Sequence, residues 1–376
     1  MKQHRDRTRR ITSSPQQIDM LIDDRKVISF CSNDYLGLAN NLQIKQAAQE
    51  AIDKYGVGSG SAHLVSGHSS AHHQLEEELA EFTGYPRAIL FSTGYMANIG
   101  ICQALLDKGD YVLEDRLNHA SLIDGGLVSD ARMQRYLHND VSSLQQKLQK
   151  TDKRSAKLVL TDGVFSMDGD VANLPALSSL CKKNNSWLMV DDAHGFGTIG
   201  ETGKGCLEHF SLNKTDVPIY MATLGKAIGT AGAFIAGSEE LIETIIQRSR
   251  TYIYTTAMPA AIAEATRCSL RIIQNEPRHV HNLQDNISYF KQCSANLSLP
   301  IENSGTAIQP VIIGDDYETL QISKDLFDRG FLVTAIRPPT VPEGTSRLRI
   351  TLSAKHTHEH IDQFIDALDT LVKENT

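Results

Sequence analysis

Short apolar runs alternate along this chain with longer segments in which apolar residues recur at helical spacing. Each run is nearly continuous in Val, Ile, Leu and other apolar residues, which is typical of strands buried on both faces. Six runs are predicted to be strands: residues 89–91, 111–113, 157–160, 187–190, 218–222 and 233–236. The pattern predicts an α/β fold, with a mostly parallel sheet flanked by helices.

The same pattern divides the chain into three predicted parts. Residues 1–38 precede the main sheet as an N-terminal extension, and residues 39–264 hold the six strands of a large domain. From residue 265 onward, long amphipathic stretches contain fewer strands, ending in the alternating segment 347–352. We therefore expect a smaller C-terminal α+β domain over residues 265–376.

Composition narrows the possible functions. Of the 376 residues, 41% are hydrophobic and 22% are charged, and the formal net charge is −8. A net negative chain lacks the basic surface that nucleic acids and anionic membranes attract, so neither partner is expected. Chemistry on small molecules is favoured instead.

Two further features predict a cytoplasmic protein. The first ten residues are polar and basic, and no apolar segment follows them that is typical of a secretory signal or a spanning helix. The six cysteines lie far apart without a C-x-x-C pair, which fits a reduced compartment. We interpret them as small buried apolar residues.

Chemically capable residues follow three of the predicted strands, at the end where α/β sheets bind ligands. Gly94 and Tyr95 come after the first strand and open a helical segment, whose free N–H groups suit a phosphate. Asp191 and His194 follow the fourth strand, and Lys226 lies in a Gly-containing loop after the fifth. Taken singly, these residues have ordinary explanations as a helix cap, a polar strand end and a surface lysine.

The combination is more informative than its parts. A phosphate cup, a carboxylate that keeps a pyridinium nitrogen protonated and a lysine that forms a Schiff base occur in that order at successive strand ends. This combination predicts a site for pyridoxal 5′-phosphate (PLP). His119 follows the second strand and supplies a ring that could stack on the cofactor, although a helix-entry histidine has the same sequence context.

Six segments resemble motifs of the α-oxoamine synthases, a family of fold-type I PLP enzymes. The resemblance covers nearly the whole chain, and all but the last of these motifs are shared across that family. The segments are residues 32–37 (Ser-Asn-Asp-Tyr-Leu-Gly), 118–121 (Asn-His-Ala-Ser), 163–170 (Gly-Val-Phe-Ser-Met-Asp-Gly-Asp), 191–195 (Asp-Asp-Ala-His-Gly), 223–226 (Thr-Leu-Gly-Lys) and 335–342 (Ala-Ile-Arg-Pro-Pro-Thr-Val-Pro).

Carried over position by position, the resemblance implies how PLP is held. Lys226 would carry the cofactor as a Schiff base, and Asp191 would pair with the ring nitrogen. His194 and Ser166 would contact the side of the phenolic oxygen, and His119 would stack on the ring. The shared motifs thus imply the chemistry, not the substrate.

The resemblance also implies phosphate and substrate contacts. Gly94, Tyr95 and Thr223 would hold the phosphate, and Thr255 would reach the phosphate of the other subunit in an obligate homodimer. Arg349 matches the family's arginine for the amino-acid carboxylate. The sequence departs from several family members at residue 162, where it has aspartate instead of glutamate. Residues 347 and 349, both arginines, share one strand face, so spacing alone does not choose between them.

The implied reaction is a decarboxylative condensation of L-alanine with a pimeloyl thioester, as in biotin biosynthesis. Segment 335–342 and residues 169–170 favour this branch of the family. The acyl carrier, coenzyme A or acyl carrier protein, stays open, as does the strictness for alanine. The alternative within the family is glycine C-acetyltransferase, or 2-amino-3-ketobutyrate CoA ligase, which joins glycine to acetyl-CoA.

Other classes of protein fit less well. Residues 195–200 match G-x-G-x-x-G, but residues 191–194 separate them from the preceding strand, and the next strand does not end in an acid. We therefore reject a dinucleotide-binding dehydrogenase. A non-catalytic binding module would leave the lysine, the acid and the stacking histidine without a role.

Two groups of histidines raise the question of a metal site. His68 and His72 have helical spacing, and His356, His358 and His360 alternate along the chain. Neither group has the H-E-x-x-H form. We interpret them as solvated histidines and predict no metal.

Overall fold

The computed structural model describes residues 8–295, 297 and 304–375. Its strands are β1 (Asp19–Ile22), β2 (Arg25–Ser29), β3 (Arg87–Phe91), β4 (Tyr111–Asp115), β5 (Arg132–Tyr136), β6 (Lys157–Asp162), β7 (Trp187–Asp191), β8 (Ile219–Thr223), β9 (Ala233–Gly237), β10 (Ile308–Gly314), β11 (Phe331–Leu332), β12 (Thr334–Ile336) and β13 (Ser346–Thr351). No helix of the described residues is both long and apolar enough to cross a membrane.

The helices are α1 (Leu42–Tyr55), α2 (Ser70–Thr83), α3 (Gly94–Leu105), α4 (Ala120–Val128), α5 (Val141–Leu148), α6 (Leu174–Lys183), α7 (Cys206–His209), α8 (Glu239–Arg248), α9 (Arg250–Ile253), α10 (Ala260–Asn275), α11 (Arg278–Ser294), α12 (Asp316–Asp328) and α13 (His358–Asn375). A short π-helical turn covers His63–Gly67.

The described chain forms two compact units. The sheet unit comprises Leu42–Phe165 and Val171–Asn275. The terminal unit comprises the described residues up to Asn41, the loop Ser166–Asp170 and the described residues from Glu276 onward. The three-part domain division expected from the sequence stays a prediction. In the structure α10 continues past the expected boundary at residue 265, because its apolar face packs against α1 and α2 of the sheet unit.

The sheet unit contains seven strands in the order β3-β9-β8-β7-β6-β4-β5. Only β9 is antiparallel to its neighbours, so the mostly parallel sheet is confirmed, and all six predicted runs overlap its strands. The seventh strand, β5, is not predicted by the pattern. It lies at the edge of the sheet, and Tyr136 is its only buried residue, so it needs no continuous apolar run.

Both faces of the central strands are covered. Leu188, Met189 and Val190 follow one another in β7 and are all fully buried, although consecutive side chains point to opposite faces. On the face of Met189, a hydrophobic core includes Ile101 of α3 and Ile245 of α8. Burial on both faces explains why the strand sequences do not alternate.

The terminal unit has two small sheets, with the orders β1-β2-β11 and β10-β13-β12. All six residues of the central strand β13 are buried, and they include both arginines of the alternating segment. Phe30 anchors the core of this unit by stacking on Phe364 and on His356, with ring centroids 4.3 and 4.2 Å apart.

The loop Ser166–Asp170 is fastened within the terminal unit through Gly169. The Ser304 and Thr306 hydroxyls donate to the Gly169 carbonyl oxygen, at 2.8 and 3.0 Å. Gly169 has a φ of +70°, and a Cβ there would clash with the Ile308 carbonyl oxygen, so only glycine fits this turn.

Candidate functional site

Three strand ends meet at one edge of the sheet unit. Asp162 ends β6 and is in register with Asp191, which ends β7. Asp191 is in register with Met221 on β8, and that strand ends at Thr223. Lys226 follows three residues later. Residues that the sequence associates with one cofactor therefore lie at one edge of one sheet.

The predicted phosphate cup forms where α3 meets the end of β8. Gly94 and Tyr95 are the first residues of α3, and the side chain of the N-cap Thr93 accepts a hydrogen bond from a backbone N–H of the first turn at 3.2 Å. The other N–H groups of a first turn are available to an anion. A Cβ on Gly94 would lie 2.8 Å from Thr223 Cγ2, so the absence of a side chain lets these two elements approach.

Tyr95 contributes to this cup through its backbone rather than its ring. Its side chain is 44% exposed, and its hydroxyl donates to the Asp124 carboxylate. That hydrogen bond raises the pKa of Tyr95, so the phenol stays protonated.

Asp191 is a buried carboxylate whose two oxygens both accept hydrogen bonds. Asn98 Nδ2 donates to Oδ2 at 2.8 Å, and the Ala193 N–H donates to Oδ1 at 3.0 Å. Asn98 Nδ2 also lies 2.8 Å from Ser121 Oγ. These donors hold Asp191 in one orientation.

Sequence reasoning missed Asn98 as a site residue. It lies four residues after Gly94 on α3, and its side chain is fully buried among apolar neighbours in the sequence. A polar side chain on the buried face of an apolar helix requires hydrogen-bond partners. This signal could have identified Asn98, but it would not have identified Asp191 as its partner.

His119 caps α4 and is fixed from two sides. Its Nδ1 lies 2.7 Å from Ser121 Oγ, and its backbone N–H donates to Asp162 Oδ2 at 2.7 Å. Desolvation lowers the pKa of His119, against the opposing effect of the Asp191 charge. The imidazole is therefore neutral near pH 7 and remains exposed enough to contact a ligand.

Asp162, the aspartate that departs from the glutamate implied by the family resemblance, supports His119 rather than facing solvent. Burial and the charge of Asp191 raise the pKa of Asp162 well above its ordinary value. Asn118 links the same turn to the strand, since its Nδ2 donates to the Leu160 carbonyl at 3.0 Å and its Oδ1 accepts from the Asp162 N–H at 3.1 Å. The shorter side chain thus keeps a structural contact with the His119 turn.

Lys226 lies beside the predicted histidine. Its Nζ is 2.8 Å from Nε2 of His194, which is 8% exposed. The surrounding loop is closed by two backbone hydrogen bonds, from Leu224 N to the Gly232 carbonyl at 2.8 Å and from Thr230 N to the Leu224 carbonyl at 2.9 Å. The lysine is half-buried in a defined loop and is not a freely solvated surface lysine.

Asp192 supports the site from the interior of the sheet unit. Its Oδ2 accepts from the Cys206 N–H at 2.7 Å and from the Tyr220 hydroxyl at 2.8 Å. Burial raises the pKa of Asp192 to about 6. Three glycines surround this carboxylate so closely that a Cβ on any of them would collide with it: Gly163, Gly195 and Gly205.

Thr255 is half-buried in the segment that follows α9. Its neighbour Thr256 forms a bridge with Ala62, and the Thr256 carbonyl accepts from Ser92 Oγ at 3.3 Å. Ser92 is two residues before Gly94. The segment that contains Thr255 is therefore fastened beside the turn that leads into α3.

The two arginines of β13 have different partners within the terminal unit. Arg347 forms an ion pair with Asp168 at 2.5 Å. Arg349 Nε donates to the Ser166 carbonyl oxygen at 2.5 Å, and its terminal nitrogens donate to Asn33 Oδ1 at 3.3 Å. Among the residues that the structure describes, Arg349 has no carboxylate partner. Its charge, unlike that of Arg347, is therefore available to a substrate carboxylate.

The side chains of the sheet unit fit PLP. Thr223 Oγ1 is buried and has no hydrogen-bond partner within the described ranges, so a donor stands beside the N-terminus of α3 where a phosphate would need one. Asp191 supplies a fixed carboxylate for a ring nitrogen, and Lys226 supplies a primary amine. This donor set matches the groups that PLP enzymes use.

Three other interpretations of the sequence can be compared with the structure. Residues 195–200 form turns and open no helix, as expected for a chance glycine match. All six cysteines are free, but Cys31, Cys268 and Cys293 are only half-buried, so the expectation of full burial is wrong for these.

The interpretation of the histidines as solvated is wrong for His72 and His356. Both are buried, because a ring nitrogen of each contacts a backbone carbonyl oxygen. His72 Nε2 lies 2.7 Å from the Met258 oxygen, and His356 Nε2 lies 3.0 Å from the Ser29 oxygen.

Known proteins provide independent comparisons. The family model described as aminotransferase class I and II matches residues 25–368. The chain is 57% identical over 363 residues to the 8-amino-7-oxononanoate synthase of Thioalkalivibrio sulfidiphilus, which covers 96% of this chain and 93% of the relative.

Two solved structures are also similar. One is the 8-amino-7-oxononanoate synthase of Francisella tularensis, at 33% identity and a TM-score of 0.81, covering 93% of this chain and 98% of that chain. The other is a serine palmitoyltransferase variant from S. paucimobilis with a bound PLP–myriocin aldimine, at 29% identity and a TM-score of 0.94, covering 97% of this chain and 92% of that chain.

The buried Asp192 predicts a pH-dependent loss of stability. Because burial raises its folded-state pKa to about 6 from 3.8, the folded protein binds the extra proton, and stability falls as pH rises through that window. Asp192→Asn keeps an accepting oxygen but cannot ionise. Its stability relative to wild type should therefore rise between about pH 4 and pH 6, by up to about 3 kcal/mol.

Thermal unfolding followed by circular dichroism across this pH range, extended below pH 4 for the control variant, measures the difference. Asp216→Asn is a control of opposite sign, because the hydrogen bond from Lys182 lowers the pKa of Asp216. That carboxylate contributes stability above its unfolded pKa, and this stability is lost as pH falls. A difference between Asp192→Asn and wild type that stays constant with pH would contradict the assignment.

Proposed function

The chain belongs to the aminotransferase class I and II family, and we propose that it acts as an 8-amino-7-oxononanoate synthase with PLP as its cofactor. The reaction joins L-alanine to a pimeloyl thioester and yields 8-amino-7-oxononanoate, CO2 and the free thiol, a step of biotin biosynthesis. A carbon–carbon bond forms at the alanine α-carbon, while the thioester C–S bond and the bond to the alanine carboxylate carbon break.

One observation carries the cofactor assignment. Lys226, Asp191 and the unsatisfied Thr223 hydroxyl come from two adjacent strand ends of one sheet, next to the N-terminus of α3. A phosphate cup, a buried carboxylate and a lysine in this order along the chain have a common use in PLP chemistry. The choice of reaction within the family is supported by the 57% identity to a named synthase over nearly the full chain.

PLP, when bound, attaches the amino acid covalently and takes up the negative charge that develops at its α-carbon. Asp191 would hold a proton on the ring nitrogen, since Asn98 and Ala193 orient its carboxylate. Gly94, Tyr95 and Thr223 would bind the phosphate through two backbone N–H groups and one hydroxyl.

We assign the proton transfers to Lys226. Its Nζ, released from the cofactor, would take the α-proton of alanine and return a proton at the end of the reaction. His194 Nε2 at 2.8 Å orients this amine. We assign His119 to the face of the cofactor ring, and Ser166 together with His194 to the side of its phenolic oxygen.

We assign the alanine carboxylate to Arg349. Its guanidinium is 7% exposed, and the groups that hold it are a backbone carbonyl, an amide and a phenol rather than an acid. A planar guanidinium with free donor capacity suits a carboxylate.

We also propose a homodimer in which Thr255 reaches the phosphate of the partner's site. Exposed apolar side chains support an interface beside this residue: Val57, Leu64, Val65 and Tyr254 are between 52% and 78% exposed. They lie on two segments joined by the bridge between Ala62 and Thr256. Such a patch is typical of a protein–protein interface.

The carrier and the compartment complete the proposal. The pimeloyl group would arrive as a thioester of coenzyme A or of acyl carrier protein, because either leaves as a free thiol. We place the reaction in the cytoplasm, where the six free cysteines of the chain would stay reduced.

The proposed reaction is tested by offering the PLP-loaded protein L-alanine or glycine together with pimeloyl-CoA or acetyl-CoA. The expected product is 8-amino-7-oxononanoate from alanine and pimeloyl-CoA, identified by mass, with CO2 released from carboxyl-labelled alanine. Preferred formation of 2-amino-3-ketobutyrate from glycine and acetyl-CoA would instead support the alternative activity. Absence of every product with these thioesters and also with pimeloyl-acyl carrier protein would contradict a condensing enzyme.

Replacing the proposed attachment residue tests the cofactor chemistry. Lys226→Ala should retain PLP only noncovalently, and turnover should fall by at least about 10²- to 10⁴-fold, since the variant lacks the base. Borohydride treatment and peptide mapping identify the lysine that carries PLP in the wild type. Lys183→Ala, exposed on α6, should behave like wild type. A label on any lysine other than Lys226 refutes the assignment.

Mixed dimers test whether Thr255 acts across the interface. In a hybrid of Lys226→Ala and Thr255→Ala chains, one site would carry both changes and the other would carry neither. Random pairing should then restore roughly a quarter of wild-type activity at limiting PLP, since half of the dimers are hybrids with one intact site each. If Thr255 acts within its own chain, mixing restores no activity above that of the separate variants.

A further inference from the structure

A histidine-rich cluster lies in the sheet unit around the start of α2. His68 precedes the helix, and His73 and Glu76 lie one turn apart on it. One nitrogen or oxygen from each of these three residues lies within 4.8 Å of the others. Residues three apart on a helix share a face, so the helix presents His73 and Glu76 together.

His68 and Glu76 each have one polar atom that lies toward the cluster and a second polar atom that contacts another partner. Glu76 Oε1 accepts from the Leu90 N–H at 3.0 Å, which leaves Oε2 at 4.0 Å from His68 Nε2. On the other side of the ring, His68 Nδ1 lies 2.9 Å from His63 Nδ1. Ligands in metal sites are commonly oriented in this way by a second partner on the atom that does not bind the metal.

We propose that His68, His73 and Glu76 bind a divalent transition metal of the zinc class. Two imidazoles and one carboxylate form a ligand set typical of zinc, with a fourth position open to water. Ligand atoms around tetrahedral zinc are about 3.3 Å apart, because each bond is about 2.0–2.2 Å long. Small side-chain rotations close the remaining gap, since His73 is 64% exposed and its present partner is the exposed Glu77.

His72, the histidine that helical spacing pairs with His68, is not a ligand in this site. Its Nδ1 accepts from the Ser69 N–H at 3.1 Å, and its Nε2 lies 2.7 Å from the Met258 carbonyl oxygen. Both nitrogens are occupied in the interior. The ligand set therefore uses the next histidine along the helix.

The metal would restrict the turn His63–Gly67, which contacts other segments of the sheet unit. His63, the partner of His68, stacks on Tyr252 with ring centroids 5.2 Å apart. Met258 is held by His72 and by Ser59 Oγ, which donates to its carbonyl oxygen at 2.5 Å. Metal binding at His68 would thus restrict the turn His63–Gly67 against α2, next to the segment that contains Thr255.

Equilibrium dialysis of the tag-free, PLP-loaded full chain against Zn²⁺ tests the site. Wild type should retain about one ion per chain. His68→Gln and His73→Gln should each weaken the zinc affinity by more than roughly 10- to 100-fold, the loss typical of replacing a residue that only hydrogen-bonds to a metal ligand. The matched control is His281→Gln, which removes an exposed histidine of α11. Equal retention by all four proteins overturns the proposal.

X-ray absorption of the zinc-loaded wild type provides a readout that needs no variant. The expected first shell contains only nitrogen and oxygen, with the outer-shell signature of two imidazoles. Sulfur in the first shell would assign the ion to one of the six free cysteines and overturn the proposal. Failure to bind zinc at all would also overturn it, irrespective of whether the chain catalyses the proposed condensation.

Discussion

The pair of carboxylates buried at the ends of β6 and β7 is the constraint on which the rest of the site depends. Asp162 and Asp191 are in register on adjacent strands, and two like charges buried together carry a large energetic cost. Different surroundings resolve the conflict. Asn98 and Ala193 donate hydrogen bonds to Asp191, whereas burial raises the pKa of Asp162 well above its ordinary value. The carboxylate that receives donors on both of its oxygens is Asp191, the residue that we propose pairs with the pyridinium nitrogen.

The same hydrogen bonds tie the other parts of the site to this charge. Asn98 belongs to α3, the helix whose first residues form the proposed phosphate cup, so the proposed contacts to the ring nitrogen and to the phosphate share one helix. Asp162 holds the backbone of His119, and Ser121 contacts both the His119 ring and Asn98. Hydrogen bonds therefore connect the two carboxylates with both the proposed phosphate cup and the His119 imidazole. This coupling favours a preorganised site, in which few groups must move when a cofactor binds.

Much of the fold follows from local sequence pattern. Parallel strands that are buried on both faces need continuous apolar runs, and six such runs overlap six of the seven strands of the sheet. A polar residue directly after a run lies at the carboxyl end of a strand, which is why Asp191 and Lys226 are identifiable as site candidates. The edge strand β5 is not predicted in this way, because only one of its five residues is buried and it therefore needs no continuous apolar run.

The sequence by itself determined the fold class, the order of the strand-end residues and the family chemistry that they imply. Only the tertiary structure decided which residues are partners: Asn98 bonds to Asp191 across 93 positions. Likewise Arg347, not Arg349, pairs with Asp168, and His73, not His72, has a ring nitrogen within 4.8 Å of ligand atoms of His68 and Glu76. Periodicity assigns a side chain to a face of its own helix or strand. Its partners and its burial depend on distant segments that the fold brings against that face, and local spacing does not encode them.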